Sequence, residues 1–382
     1  MITPFDAVVL YMNSVIPRRD RPGIVAIPHP NERDGITEVI SDELTALGYR
    51  PAYFRIGSSV PETADVVFSY GPYGNFLTIP RQLAKLPPDK KPIFVHWNTE
   101  GLPDPRIPWK LMSSISGWRS WLGRVQDSRA GSTKIRGTEK LFAFIESRMS
   151  RFRYLGDYYY AFHRGWLDIF ADTSEIYADI HRRHGLPTIV AHWGATPRWY
   201  KDLGLQRDID VLWMGKRGTK RRSLLLDQVR SELQSHGVRI HLADGVENPY
   251  IFGDERTYYL NRSKITLNIT RTWYDDNFSR IALAAPNRSL VVSEPVLPHC
   301  SKFIAGTHYV SAPHDSLSET ILYYLEHEEE RSRIVENAYR LVTTKLVFRE
   351  SILSIMEAVN QLYQSIHAIN HGARLDIYNL SG

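Results

Sequence analysis

The sequence predicts an α/β protein of two Rossmann-like lobes, each a parallel sheet covered by helices. Its 382 residues exceed what one hydrophobic core organises, and 43% hydrophobic with 23% charged residues is a globular balance. Short β-rich runs alternate with stretches of helical periodicity in both halves. The alternation restarts at Asp208, where RDIDVLWMGKRGTKRRSLLLDQVRSELQSHG reads as a strand, a glycine-bearing basic turn and an amphipathic helix.

In the first half the expected strands are Ala7 to Asn13, Tyr49 to Ile56, Ala64 to Ser69, Pro92 to Trp97, Ile169 to Ala171 and Thr188 to His192. Ile36, Val39, Ile40, Leu44 and Leu47 are spaced as one apolar helix stripe, which Gly48 ends. Ser14 to Asp34 holds four prolines and reads as a long loop, a length that marks a functional or mobile connection. Second-half strands are expected at Val238 to Leu242, Ile265 to Asn268, Ser289 to Val292 and His308 to Val310, with helices at Ser316 to Glu326, Glu328 to Thr343 and Ser351 to His367. The polar segment Gly194 to Arg207 is the expected boundary, giving lobes of residues 1–195 and 196–348 followed by a terminal segment, 349–382.

Between Trp109 and Trp166 the alternation gives way to a stretch read as helical, carrying 11 Lys and Arg against 4 Asp and Glu, with four each of Trp, Phe and Tyr. This local charge of +7, in a chain of +5, suits an anionic membrane surface or stacking on a ring-shaped ligand. A helical core with solvated charged faces explains the same composition. Gly131 to Gly137 reads as a flexible break inside it. MITPFDAVVLYMN has neither a basic n-region nor a small-residue cleavage site, and no apolar run is long enough to span a bilayer. The expected location is the cytoplasm, including the inner face of a membrane. The single cysteine, Cys300, argues against a disulfide framework or a cysteine zinc site.

Two constellations carry chemistry. In MGKRGTKRR, glycines permit close backbone approach, helix amides attract anions, and Lys216, Arg217, Lys220, Arg221 and Arg222 can neutralise a diphosphate. The spacing is not that of a Walker loop, and no GxGxxG follows the first strand. In the second, Asp275, Asp276 and Asn277 offer capping oxygens before a short helix beginning near Phe278. Ligands collect at the carboxyl ends of strands in a doubly wound sheet, so both constellations are expected to converge there.

Asp208 and Asp210 form a D-x-D, but before their strand, where a polar strand start is the better reading than a metal site. FVHWNTEGLPDP places His96 and Glu100 after a strand as candidate general bases, with a loop-fixing hydrogen-bond set as the alternative; Asp34 and Glu32 in HPNERDG are rival bases. Trp193 in AHWGATPRWY fits either a ligand-lined cleft or packing at a hinge. His181 and His184 read as a surface cluster, and no G-x-S-x-G supports hydrolase chemistry.

The ordered phrases IDVLWMG, the basic turn, SKITLN, the arginine opening a helix, LVVSE and LSETILYYLEHEEERSRIVENAYRLV resemble glycosyltransferases of the GT-B fold, over roughly Asp208 to Val347. They are most similar to the spore maturation CgeB type, near glycosyltransferase family 4. The resemblance implies two lobes facing a central cleft, with acceptor on the first, donor on the second, and the final helix packed back on the first. The implied reaction moves a sugar from a nucleoside-diphosphate sugar to a saccharide, lipid-linked or protein hydroxyl, with no cofactor, metal or nucleic acid required. Gly215 with Lys216, Arg217, Lys220 and Arg221 would face the diphosphate; Asn277, Ser279 and Arg280 would open the phosphate-facing helix, and Glu294 would lie beside it. Many relatives carry a ribose-binding glutamate three residues past the Arg280 position, where this chain has Leu283, with Asp275 near the place of the first acid. An inactive nucleotide-binding partner and a nucleotide-sugar epimerase are the alternative functions.

Overall fold

A computed structural model describes residues 22–28, 35–71, 76–129, 139–275 and 278–379. The chain divides into two compact units, one of residues 1–30, 40–191 and 353–382, the other of residues 31–39 and 192–352. Among the described residues no helix is long and apolar enough to cross a membrane.

The first unit contains β1 (Ile24–Pro28), α1 (Ile36–Ala46, its first residues grouped with the other unit), β2 (Arg50–Phe54), β3 (Val66–Gly71), α2 (Thr78–Leu83), β4 (Ile93–Asn98), α3 (Trp109–Arg129), α4 (Glu139–His163), β5 (Ile169–Asp172), α5 (Glu175–Arg183) and β6 (Ile189–Val190). Its sheet runs β2-β1-β3-β4-β5-β6, every described pairing parallel. β1 corrects the sequence reading. The proline-rich stretch read as a loop supplies an interior strand, because IVAIP is an apolar run and its proline sits at the strand end, where a missing N–H is tolerated. The expected strand Ala7 to Asn13 and break Gly131 to Gly137 lie outside the described residues. The aromatic window forms the α3–α4 hairpin, whose Tyr158, Leu155 and Met112 join the core.

The second unit contains β7 (Ile209–Met214), α6 (Lys220–Ser235), β8 (Ile240–Ala243), α7 (Gly253–Arg262), β9 (Ser263–Asn268), α8 (Phe278–Ala284), β10 (Leu290–Ser293), β11 (Val310–Ser311), α9 (Leu317–Glu326) and α10 (Glu328–Thr344). Its parallel sheet runs β11-β10-β9-β7-β8. Strand periodicity explains the two-sided burial. Leu212 and Met214 join one core cluster, whereas Val211 and Trp213 join another.

α11 (Phe348–Asn379) starts in the second unit and continues into the first, where Tyr49 and Asn360 exchange hydrogen bonds. The linker entering the second unit and the segment leaving it are joined: Ala195 donates to Leu346 at 2.9 Å and Phe348 to Ala195 at 2.8 Å. Trp193 stacks on Trp199 at 5.6 Å, and Phe348 meets both edge-on. Trp193 thus serves as packing at this junction. Gly194 is required there, since a Cβ would lie 2.4 Å from the Phe348 nitrogen.

Candidate functional site

In the second unit, β8 lies on one side of β7 and β9 on the other, so the strand order reverses between β7 and β9. A crevice opens outside the carboxyl ends of strands at such a switch point. β7 ends at Met214 and turns at Gly215, whose φ of +118° favours a residue without a side chain. A Cβ there would also lie 3.1 Å from Arg280 Nη2. β9 ends at Asn268. Arg280, in the first turn of α8, spans both strand ends, its Nε donating to the Met214 carbonyl at 3.2 Å and its Nη1 to Asn268 Oδ1 at 2.6 Å. Its guanidinium carbon lies 4.6 Å from the centroid of the buried Trp213 ring.

Two more arginines crowd this point. Arg222 is buried, donates to the Lys216 carbonyl at 3.1 Å and leaves Nε without a partner among the described residues. Arg271 flanks the same turn, for a Cβ on Gly218 would lie 3.7 Å from both Arg222 Nη1 and Arg271 Cδ. Burial and then the charges of Arg222 and Arg271 push the Arg280 guanidinium down to about 9. Burial and then Arg271 push Arg222 down to about 10. Asp275 offsets part of this charge, and its carboxylate also accepts the Arg271 and Thr272 amides, which caps that turn.

α6 adds to the imbalance. Thr219 caps it by accepting the Arg222 amide, yet Lys220, Arg221 and Arg222 follow and no acid occupies the first turn. Cations at a helix N-terminus oppose the macrodipole, so the local field favours an anion.

The remaining expected donor residues divide. Lys216 and Lys220 are exposed beside the turn. Arg217 is engaged by Asp244 at 2.7 Å and Asp227 at 2.5 Å, which fix the turn to β8 and α6; these carboxylates already satisfy the guanidinium expected to face the diphosphate. Arg221 is likewise paired with Glu294, just past β10, and Glu294 also accepts the amide and hydroxyl of Thr270. Glu294 therefore orders the strand-end loops. Ser279 lies in α8, and Asn277, with Asp276, is outside the described residues. Asp208 and Asp210, the D-x-D, pair with Arg262 and Lys264.

In the first unit His96 is 2% exposed, enclosed by Phe76, Tyr158 and Phe170, with Nδ1 at 2.8 Å from Ser69 Oγ. Burial pushes it down to about 3. It is a neutral core imidazole in this structure, which leaves it no solvent path to an acceptor hydroxyl. Glu100 is exposed at the end of β4. Asp34 and Glu32 lie outside the described residues. Asn98 forms a buried set, donating to Asp172 at 2.7 Å and accepting from Tyr158 at 3.0 Å. His181, read as surface, is buried 3.8 Å from Asp172, because the inner face of α5 packs against the sheet. Sequence reasoning missed Trp213, Asn268 and Arg271; an indole before the strand-end glycine and an amide closing SKITLN were the available signals.

Residues 221–356 match the family model described as glycosyl transferase-like. No curated protein matches the sequence significantly. Among solved structures, the sucrose-phosphate synthase from Thermosynechococcus elongatus is similar in fold, with a TM-score of 0.56 at 11% identity over 90% of this chain and 100% of that one. Anabaena HepE in complex with UDP-glucose aligns at a TM-score of 0.53 and 9% identity, over 89% and 100% of the two chains. The same protein in complex with UDP and glucose gives 0.56 at 9% identity, over 88% and 99%. With two parallel-sheet units and these alignments, the chain has the GT-B fold, and its residues 221–356 resemble a glycosyl transferase-like domain.

Proposed function

We propose that the second unit binds a nucleoside-diphosphate sugar at the β7–β9 switch point, with the diphosphate on Arg280, Arg222 and Arg271, for transfer to an acceptor hydroxyl of a saccharide, lipid-linked glycan or protein. The carrying observation is the crowding of three guanidiniums at one pair of strand ends, beside a helix start without an acid. Like charges gathered in a half-buried place are stabilised by an anion, and a fixed cationic site lowers the barrier for a departing diphosphate. Positioned arginines supply that stabilisation without a metal, so EDTA is expected to leave transfer unchanged. Of His96 and Glu100, the exposed carboxylate of Glu100 is the assigned general base. The test is calorimetry with UDP, GDP, TDP and CMP, followed by donor turnover with the matching sugar nucleotides. The site assignment fails if none binds.

A second reading, binding without transfer, is favoured by one observation. Leu283, at the position where many relatives hold a ribose with glutamate, packs against the apolar cluster of Leu212 and Ile251. Nucleotide binding with neither transfer nor slow donor hydrolysis would select it. For the first unit, exposed Leu111, Trp118 and Trp121 on α3 support peripheral contact with an anionic membrane. Liposome sedimentation tests this, and equal partitioning onto neutral and anionic vesicles counts against it.

A further inference from the structure

α3 and α4 touch where small residues allow it. A Cβ on Gly156 would lie 2.0 Å from the Ser116 carbonyl oxygen, so the crossing is fixed at van der Waals contact. Beside the crossing the hairpin opens into a cavity of ≈370 Å³, in the size range of small-ligand clefts. Trp109, Tyr159 and Tyr160 wall it. Trp109 is held by stacking on His184 at 4.0 Å with the rings 5° apart. Tyr160 carries the Arg124 guanidinium 3.8 Å above its ring. Arg124 in turn donates to Ser120 Oγ, and Ser120 to Asp157 at 2.5 Å.

Two features indicate that the space is kept for a polar ligand. Ser113, Ser120 and Arg124 bring polar side chains to its lining, beside the buried Ser116. Gly117 also lines it, although glycine is unfavourable inside a helix and a Cβ there would meet nothing within 4 Å. Packing does not require that glycine, and at this exposed position it leaves the wall open.

The wall chemistry selects the ligand class. Among the described residues Leu155 is the one aliphatic side chain lining the cavity, whereas a pocket for a hydrocarbon tail needs several. Flat aromatic faces with serine hydroxyls, an arginine and histidines suit a sugar ring, which offers C–H faces and equatorial hydroxyls together. We infer that the α3–α4 hairpin holds a carbohydrate-binding pocket that takes one or two sugar rings. His163 precedes β5 and His184 precedes β6, so this mouth lies toward the amino ends of those strands, away from the carboxyl ends where Asn98 and Asp172 sit.

Saturation-transfer NMR on the full chain, with maltose, cellobiose, lactose and N,N′-diacetylchitobiose and without nucleotide, tests the inference. At least one disaccharide should give a signal that Gly117→Phe abolishes while the melting temperature is kept or raised. Trp109→Ala should weaken the same signal, which covers the case of a poorly folded Gly117→Phe protein. Arg280→Ala should leave it unchanged, whatever becomes of nucleotide binding. The inference is overturned if no disaccharide binds, if binding survives Gly117→Phe, or if Arg280→Ala removes it. Binding of decanoate in place of every sugar would also overturn it.

Discussion

Arg280 lies over Trp213, its guanidinium carbon 4.6 Å from the ring centroid, while its nitrogens reach the ends of β7 and β9. No carboxylate within ion-pair distance neutralises it among the described residues. A planar cation stacked on an indole keeps its hydrogen-bonding edges directed, so the side chain is held before any ligand arrives. Arg280→Ala should weaken binding of the cognate nucleoside diphosphate by roughly 10- to 100-fold, the worth of a charged hydrogen bond, with melting changed little. Arg280→Lys should fare nearly as badly, because an ammonium cannot span both strand ends. Calorimetry on both variants decides, and unchanged affinity removes Arg280 from the site.

Gly215→Ala is the second expectation. Its φ of +118° disfavours a side chain, and the added methyl would press on Arg280 Nη2 at 3.1 Å. Loss of about 1 to 2 kcal/mol in stability should accompany weaker nucleotide binding. A variant that melts lower yet binds as well would show that the turn shapes the fold alone.

Arg221 and Glu294 should prove unequal. Glu294→Ala strips partners from the Thr270 amide and hydroxyl as well as from Arg221, whereas Arg221→Ala leaves Glu294 its Thr270 bonds. Removing the buried carboxylate should therefore cost about 2 to 4 kcal/mol and removing the half-exposed arginine about 1. Denaturant melts rank the two, and the reverse order would contradict the role given to Glu294 as the organiser of the loops.

Asp157 supplies a pH test in the first unit. Burial pushes it up to about 6, despite its bonds from Ser120 and Arg153. Between its ordinary value near 4 and 6 the folded chain holds a proton that the unfolded chain releases, so this group's contribution to stability falls as pH rises. Asp157→Asn should gain on the wild type across pH 4 to 6, by at most about 1.4 kcal/mol per pH unit. His96 works in the opposite sense. Folded it stays neutral down to about 3, so stability declines as pH drops from 6.5 toward 3. Melting curves of wild type and Asp157→Asn across this range separate the two signs.

The parallel sheets were legible because their strands are short apolar runs between amphipathic helices, and IDVLWM and SKITLN needed no tertiary information. β1 was not, since four prolines in Ser14 to Asp34 outweighed five apolar-leaning residues, and only pairing with β2 and β3 explains them. The basic turn was singled out by its chemistry, and Arg280 by the family resemblance. What one dimension conceals is allocation: five cations in MGKRGTKRR look alike until Asp227 and Asp244 claim Arg217 and Glu294 claims Arg221. The same holds for His96, whose place in an exposed-looking phrase gives no hint that Phe76 and Tyr158 enclose it.

The hydrogen bonds between Tyr49 and Asn360 join positions 311 residues apart, whereas residues 192–352 supply nearly all of the second unit as one stretch. During synthesis that stretch can collapse as soon as it clears the ribosome. The first unit is begun earlier and finished later, since residues 353–382 belong to it. Truncations near Leu353 should therefore injure the half of the molecule made first, leaving the half made second able to fold.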